Sequence, residues 1–503
     1  MGSQSVLYCT RIDRIRSCCN PQSMAYIIMC SKRSLRTIAF VVLCLSMSGC
    51  LLKPEFNRPT VLDTSGYRDS LSGSTAAQSG ATIKWWELFG DPKLQALIET
   101  ALRENRNMQV AMARINESLA LLGVARPDQF PRLDLAGGAS RTAISDSMLG
   151  ALPGVSPRNE FSLLGRLSFE LDIWGRYASA TEAARAELLA SEELYKAVTL
   201  SLVSQVATSY LQLLDFDRQI IIAERTLKSR RANTNLINER YKQGYTAKID
   251  LNQAQIQEQD AAAALIALQR AQRLTENALS ILLGHVPHAI SRANPESSPL
   301  ALEMLPAGAP AELLERRPDV RAAEQQARAA VMRIGVARST QYPSLSLLGV
   351  IGLNSRDATQ LFSADGRTWS IGGDLLGPII DLGKSWSRTE AAEAAAEQAL
   401  RSYEGVVLQA VREVEDAMVA VRTFHQEHQV RELQVTAARS ADNLSRRRYT
   451  DGVTSYLEVL STQESLFGAE LARSNTQQRY LSAIVQLYKA LGGGWETSNS
   501  KPK

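Results

Sequence analysis

Few side chains in this 503-residue chain are of types that perform chemistry, and their spacing disqualifies most of them. The four histidines are His285, His288, His425 and His428. His425-x-x-His428 has the i,i+3 spacing that places two imidazoles on one helix face, where they could share a metal, but no third ligand type accompanies them. His285-x-x-His288 is interrupted by Pro287, which breaks such a face. All six cysteines (Cys9, Cys18, Cys19, Cys30, Cys44 and Cys50) fall in the first fifty residues. Residues 51–503 therefore have no thiol to serve as nucleophile, zinc ligand or disulfide partner. Gly492-Gly493-Gly494 follows a helical pattern and lacks the Lys-Ser/Thr that completes a phosphate loop, and no nucleophile elbow occurs. The sequence predicts no catalytic residues, no metal and no cofactor.

The remaining reactive candidate is Cys50. Before it, Lys32, Arg33 and Arg36 precede an apolar run from Ile38 to Leu45 and then small residues. That is the layout of a secretory signal, too short to be a permanent bilayer span. Met47-Ser48-Gly49-Cys50 resembles the lipobox of bacterial lipoproteins, with Met47 where Leu is commoner; the alternative is an ordinary cleaved signal with an incidental cysteine. On this reading 1–49 is a signal peptide, 1–23 is an upstream extension with translation starting at Met24 or Met29, and 50–84 is a lipidated N-terminal segment. Each buried acyl methylene adds roughly 0.8 kcal/mol, so several chains on Cys50 would anchor the protein firmly.

Charge separates the same two parts. The chain carries +4 overall, and residues 1–49 hold six basic side chains against Asp13 alone, which leaves the body at about −1. A nearly neutral body argues against nucleic acid as the main partner, because phosphate binding needs clustered basic surface.

The body is one unit written twice. Gly123-Val124-Ala125-Arg126, Gln129, Pro131 and Leu133 recur as Gly335-Val336-Ala337-Arg338, Gln341, Pro343 and Leu345. Thr181-Glu182-Ala183-Ala184 recurs as Thr389-Glu390-Ala391-Ala392, and Arg240-Tyr241-x-x-Gly244 as Arg448-Tyr449-x-x-Gly452. A single offset held over more than a hundred residues marks a duplication. The repeats span 85–284 and 310–492, joined by a connector at 285–309 and followed by a tail at 493–503.

Each repeat predicts the same order of elements. A helix comes first, Asp91 to about Gly123 with Asp91 as N-cap and Pro92 at the first helical position, or Pro310 to about Gly335. A strand pair follows, 132–141 with 160–173, or 344–354 with 368–380. Then comes a rod: 178–242 lacks proline and glycine, which at 1.5 Å per residue gives about 100 Å. Val407, Val411, Val414, Met418 and Val421, and their counterparts Thr199, Val203, Val206, Tyr210 and Leu213, have heptad spacing. Each rod ends at an Arg-Tyr-x-x-Gly turn and reverses into a helix of about 35 residues (249–283 or 457–491), counted from the repeat pattern. Two strand pairs cannot close a barrel in one chain, whereas several chains could pool them, and closure is what a membrane-spanning sheet requires. The prediction is a mostly α protein with β-strands, forming an oligomeric tube that crosses the outer membrane as a barrel and the periplasm as helices. A soluble coiled-coil stalk would have no use for the strands.

Ordered motifs along the chain are similar to those of the outer membrane factor (TolC-like) family, in its lipoprotein branch serving multidrug efflux. They are Trp85-Trp86-x-x-Phe89-x-Asp91-Pro92-x-Leu94, Glu170-Leu171-Asp172-Ile173-Trp174-Gly175-Arg176, Arg316-Arg317-Pro318-Asp319-Val320-Arg321, Pro378-Ile379-Ile380-Asp381-Leu382-Gly383, Tyr456-Leu457-Glu458-Val459-Leu460 and Tyr488-Lys489-Ala490-Leu491-Gly492-Gly493-Gly494-Trp495. The resemblance implies a homotrimer whose four strands per chain complete a twelve-stranded barrel, above a coiled-coil helical barrel with an equatorial belt. It implies a passive duct of a tripartite efflux pump, exporting small molecules such as drugs, docked by a periplasmic adaptor protein and an inner-membrane transporter, with proton-driven pumps favoured. The rival within the family is the duct of an ATP-driven (type I) protein secretion system. The adaptor class, also lipid-anchored, carries one hairpin and not two equivalent halves. The resemblance places adaptor-docking tips at Arg240, Tyr241, Gly244, Arg448, Tyr449 and Gly452. The periplasmic aperture of pump-linked relatives has a Leu, an Asp four residues on and an Arg three beyond; here those positions are Leu457, Ser461 and Glu464. The acid is lost and the base reversed, which predicts cation attraction at the mouth and an altered lock.

Overall fold

The computed structural model describes residues 54–60, 68, 85–143, 157–294 and 313–493. Cys50, the signal peptide and most of the connector lie outside the described residues.

The first repeat opens with a short turn, Trp85–Phe89, and α1, Pro92–Glu104. Asp91 caps α1 as its sequence predicts, accepting from the backbone N–H of Lys93 at 2.8 Å and of Leu94 at 3.4 Å. The single helix expected to run to Gly123 is instead broken at Asn105, and α2 spans Arg106–Ala125. The break has a cause: the Asn105 side chain accepts from the N–H of Asn107 and Met108 to cap α2, and donates to the carbonyl of Leu282 at 2.8 Å. Strands β1, Arg132–Thr142, and β2, Arg158–Leu171, follow. The rod α3, Arg176–Lys242, and the return helix α4, Lys248–Leu282, complete the unit.

The second repeat has α5, Pro318–Ser339, β3, Ser344–Ser355, β4, Arg367–Leu376, the rod α6, Lys384–Thr450, and α7, Tyr456–Ala490. Pro318, not Pro310, starts the long helix, because proline suits the first helical position and Arg317 before it is extended. Both rods are 67 residues long and both return helices 35, every terminus displaced by the same offset. Gly175 at φ 73° and Gly383 at φ 85° make the strand-to-rod corner in each copy, a conformation open to glycine at little cost. The strands stop earlier than expected, at Leu171 and Leu376. Asp172 and Asp381 turn their carboxylates back onto backbone N–H groups of the rods, those of Ala178 at 2.7 Å and Ser385 at 2.9 Å.

The four strands form one antiparallel sheet in the order β1-β2-β3-β4. The two hairpins are fused by β2–β3 pairing, from Phe161 opposite Ser355 to Leu171 opposite Leu345, so the seam between repeats is itself a ladder. The registers sort the residues onto two faces. One row runs Leu135, Gly165, Ile351, Trp369; the next runs Leu133, Leu167, Gly349, Ile371. The opposite face carries Asp134 beside Arg166, Arg132 beside Ser168, and Glu170, Ser346 and Asp374 in line. Leu135, Trp369 and Ile371 are largely exposed in the single chain.

The helical core lies at the middle of the rods. Trp85 stacks on Tyr488 with ring centroids 5.6 Å apart, tying the start of the described body to the end of α7. Around them pack Leu94, Ile98, Val206, Leu213, Val414, Met418 and Ile484, all buried. The Tyr210 hydroxyl donates to Asp91 at 2.5 Å and accepts from the N–H of Ala293, and its burial raises its pKa above the usual phenol value. Part of α3 is apolar enough to cross a bilayer, but most of that stretch is buried against its neighbours, so it is a core helix.

Candidate functional site

Two sites follow from this frame, one at each end of the molecule. At the sheet end, an apolar face and a polar face on strands of 10 to 14 residues is the pattern of a barrel wall with lipid outside and water inside. Where β2 meets α3, Trp174 stacks on Tyr342 at 4.7 Å and donates from Nε1 to the carbonyl of Pro343, an amphipathic aromatic pair suited to a membrane boundary. The edges β1 and β4 have no partner strand among the described residues, so closure requires strands from elsewhere.

At the far end, the Arg-Tyr-x-x-Gly repeats form matching helix stops. The N–H of Gly244 donates to the carbonyl of Tyr241 and that of Tyr245 to the carbonyl of Arg240; Gly452 to Tyr449 and Val453 to Arg448 repeat the pair. This is the Schellman geometry, which demands a left-handed residue, and Gly244 and Gly452 supply it at φ 78° and 72°. The side chains knit the two turns together. The Arg240 guanidinium lies 5.2 Å from the Tyr449 ring centroid, and Tyr449 meets Tyr456 at 5.4 Å. Lys248 sits over Tyr241, and Arg448 pairs with Glu458 at 3.3 Å. Beneath them Ile237, Leu251, Val459, Leu460 and Tyr456 make a small core whose burial pushes the Tyr456 phenol up to about 12.

Three exposed apolar residues stand at the tips without a place in the sequence motif: Tyr245 and Ile249 on the first and Val453 on the second, each more than half exposed, as is Leu457, the equivalent of Ile249. They occupy the residue after each tip glycine and the fifth after it.

Leu457, Ser461 and Glu464 fall on one exposed face of α7 and line a groove of about 670 Å³ shared with Gln253, Gln257 and Arg431. Glu464 has a partner within its own chain: its carboxylate accepts from Arg230 of α3 at 2.6 Å. Arg230 is almost wholly buried and also donates to the carbonyl of Gln257. Part of the negative charge expected at the mouth is thus spent on this pair. The histidine pair is divided: His425 faces Gln429 and Tyr480, whereas His428 approaches Glu432.

A duplicated chain that puts an amphipathic sheet at one end and paired helical tips at the other has the architecture of a channel subunit. The sequence profile of the family described as "Outer membrane efflux protein" matches residues 97–285 and 309–493, one match per repeat, and the chain belongs to that family. It is 32% identical over 469 residues to the outer membrane protein OprJ of Pseudomonas aeruginosa, covering 92% of this chain and 97% of that one. It is 32% identical to the solvent efflux pump outer membrane protein SrpC of Pseudomonas putida, covering 91% and 98%. The Campylobacter jejuni CmeC outer membrane channel superposes with a TM-score of 0.82 at 25% identity, covering 90% of this chain and 96% of that one. The protein is an outer-membrane efflux channel and not an enzyme.

Proposed function

We propose that three copies of this chain, each anchored by lipid on Cys50, pool their strands into a twelve-stranded barrel. Below it they form the exit duct of a tripartite pump that expels small apolar or amphipathic compounds. The observation that carries this reading is the sheet: an apolar face with no cover and two unpaired edges among the described residues are satisfied together by closure within a membrane. Exposed apolar residues on the helices support the same assembly. Ile249, Ile256, Ile266, Leu274 and Ile281 run along α4, and Val110, Leu121 and Val124 lie on α2, as faces that neighbouring copies would cover.

The tips dock a periplasmic adaptor through Tyr245, Ile249, Val453 and Leu457, with Arg240, Tyr241, Arg448 and Tyr449 holding the turns in shape. An inner-membrane, proton-driven transporter supplies the cargo and the energy. Solvent efflux by a relative as similar as SrpC supports small molecules as the cargo. Leu457, Ser461 and Glu464 line the periplasmic aperture, and opening it strains the Arg230–Glu464 pair. Photo-crosslinkers at Lys242 and Thr450, beside the two tips, test the docking. Capture in intact cells of an adaptor belonging to a proton-driven pump is the expected result. Capture of an ATP-driven exporter's adaptor, or of none while the channel is assembled, would contradict it.

A further inference from the structure

A cavity of about 430 Å³ lies between α3, α6 and α7, some 20 Å above the tips by helical rise. Four guanidiniums line it, Arg225, Arg230, Arg439 and Arg446, against two buried carboxylates, Glu470 and Asp442. The carboxylates are already engaged. Glu470 accepts from Arg439 at 2.9 Å and from Arg225, and Asp442 accepts from Arg446 Nε at 3.0 Å on both oxygens. Even with Glu464 assigned to Arg230, one positive charge is in excess. An arginine has five N–H donors, and these interactions use only some of them.

Two further donors in the lining are buried and unsatisfied. Arg230, 3% exposed at its side chain, has no acceptor for its Nε–H, and Gln463, 7% exposed, has none for Nε2. Buried donors are costly to leave unmade, and cavities that hold them are filled. Water would satisfy the two donors; an oxyanion would satisfy them and also neutralise the excess charge, which the half-exposed Arg225 and Arg439 otherwise leave to solvent. The volume is ample for more than water, whose share of liquid is about 30 Å³.

We infer that this cavity binds a small oxyanion, of the sulfate, phosphate or carboxylate class, held by Arg230 Nε, Gln463 Nε2 and the spare donors of Arg439 and Arg446. Such an anion bridges the rod of the first repeat to both helices of the second, so it braces the helical wall above the tips. The inference does not depend on what passes through the channel.

Equilibrium dialysis of the full chain in detergent with radiolabelled sulfate, at an ionic strength fixed with chloride, tests it. One saturable site per chain is expected. Gln463→Leu removes one donor and no charge pair, and weakens binding about tenfold. Arg401→Gln, on an exposed face of α6 away from the cavity, leaves it unchanged. Arg439→Gln, which leaves Glu470 its partner Arg225, is read in the same way should Gln463→Leu fail to fold. The absence of saturable binding would overturn the site. So would equal binding by the wild type and both cavity variants, which would place the sulfate elsewhere. A neighbouring chain's carboxylate found seated in the cavity would overturn it as well.

Discussion

The two rods have the same length, the same corner glycine and the same terminal turn, yet they occupy different surroundings. Leu200 of α3 is 7% exposed, whereas its equivalent in α6, Leu408, is 59% exposed. Ile222 is buried while its equivalent Val430 is open, and buried Leu214 and Ala223 correspond to Arg422 and Arg431. The rod α3 is packed by α1, α2, α4, α5 and α7, so its sequence was free to become a core. The rod α6 is packed mainly by α5 and α7 and keeps apolar residues on faces that one chain does not cover. Duplication preserved the backbone, and the environments then separated into one rod buried within the chain and one that leaves apolar residues open, the rod that the proposed assembly would cover.

The sharpest way to break this comparison is at the seam where the repeats join. A side chain at Gly352 would meet the carbonyl oxygen of Leu163 at 2.2 Å, a backbone atom that cannot move without opening the β2–β3 ladder. Gly352→Val is expected to abolish folded protein in outer-membrane fractions, while Gly372→Ala, which meets nothing within 4 Å, leaves the yield unchanged.

The equivalent leucines give the next effect. Leu200→Ala is expected to cost about 2–5 kcal/mol in denaturant unfolding, as for other buried leucines. Leu408→Ala changes the stability of the chain itself by no more than about 0.5 kcal/mol. A cost at Leu408 approaching that at Leu200 would show that a neighbouring copy covers it, and would sharpen the assignment of α6 to the assembly.

The smallest expected effect is a pH slope particular to the second repeat, since Ile220 stands where α6 has His428. Burial lowers the His428 pKa below its ordinary 6.5; Arg473 and His425 act in the same direction and Glu432 opposes them. The unfolded chain therefore takes up this proton first. The stability contributed by the neutral ring is complete above the ordinary value and is lost as pH falls through the lowered one. His428→Gln should flatten the fall in stability between about pH 7 and about pH 5, the range in which histidines titrate. An unchanged slope would remove His428 from the account.

Much of this was legible because it repeats. The tip glycines, the strand-to-rod corners and the rod lengths appear twice at one offset, and each copy checks the other. What was not legible depends on partners distant in sequence. Asn105 reads as a tolerable helix residue until the carbonyl of Leu282 is placed beside it. Glu464 reads as a free charge at the mouth until Arg230, 234 residues away, is found against it. The fusion of two hairpins into one sheet leaves no local mark, since β2 and β3 belong to different repeats. The exposed apolar residues at the tips, Tyr245, Ile249 and Val453, were not legible for a related reason: the motif marks the residues that build the turn, not those the turn exposes.

The central claim is that the open edges β1 and β4 are closed by other copies of the chain. Residues 51–503 contain no cysteine, and under the proposed lipidation Cys50 is blocked, so paired cysteines at Ser140 of β1 and Ser370 of β4 give an unambiguous reading. The four-stranded order keeps these edges apart within one chain. Oxidation in intact membranes is predicted to link neighbouring chains and to yield a ladder that ends at three. The absence of any linkage in assembled protein, or a ladder that closes at another number, would contradict the account.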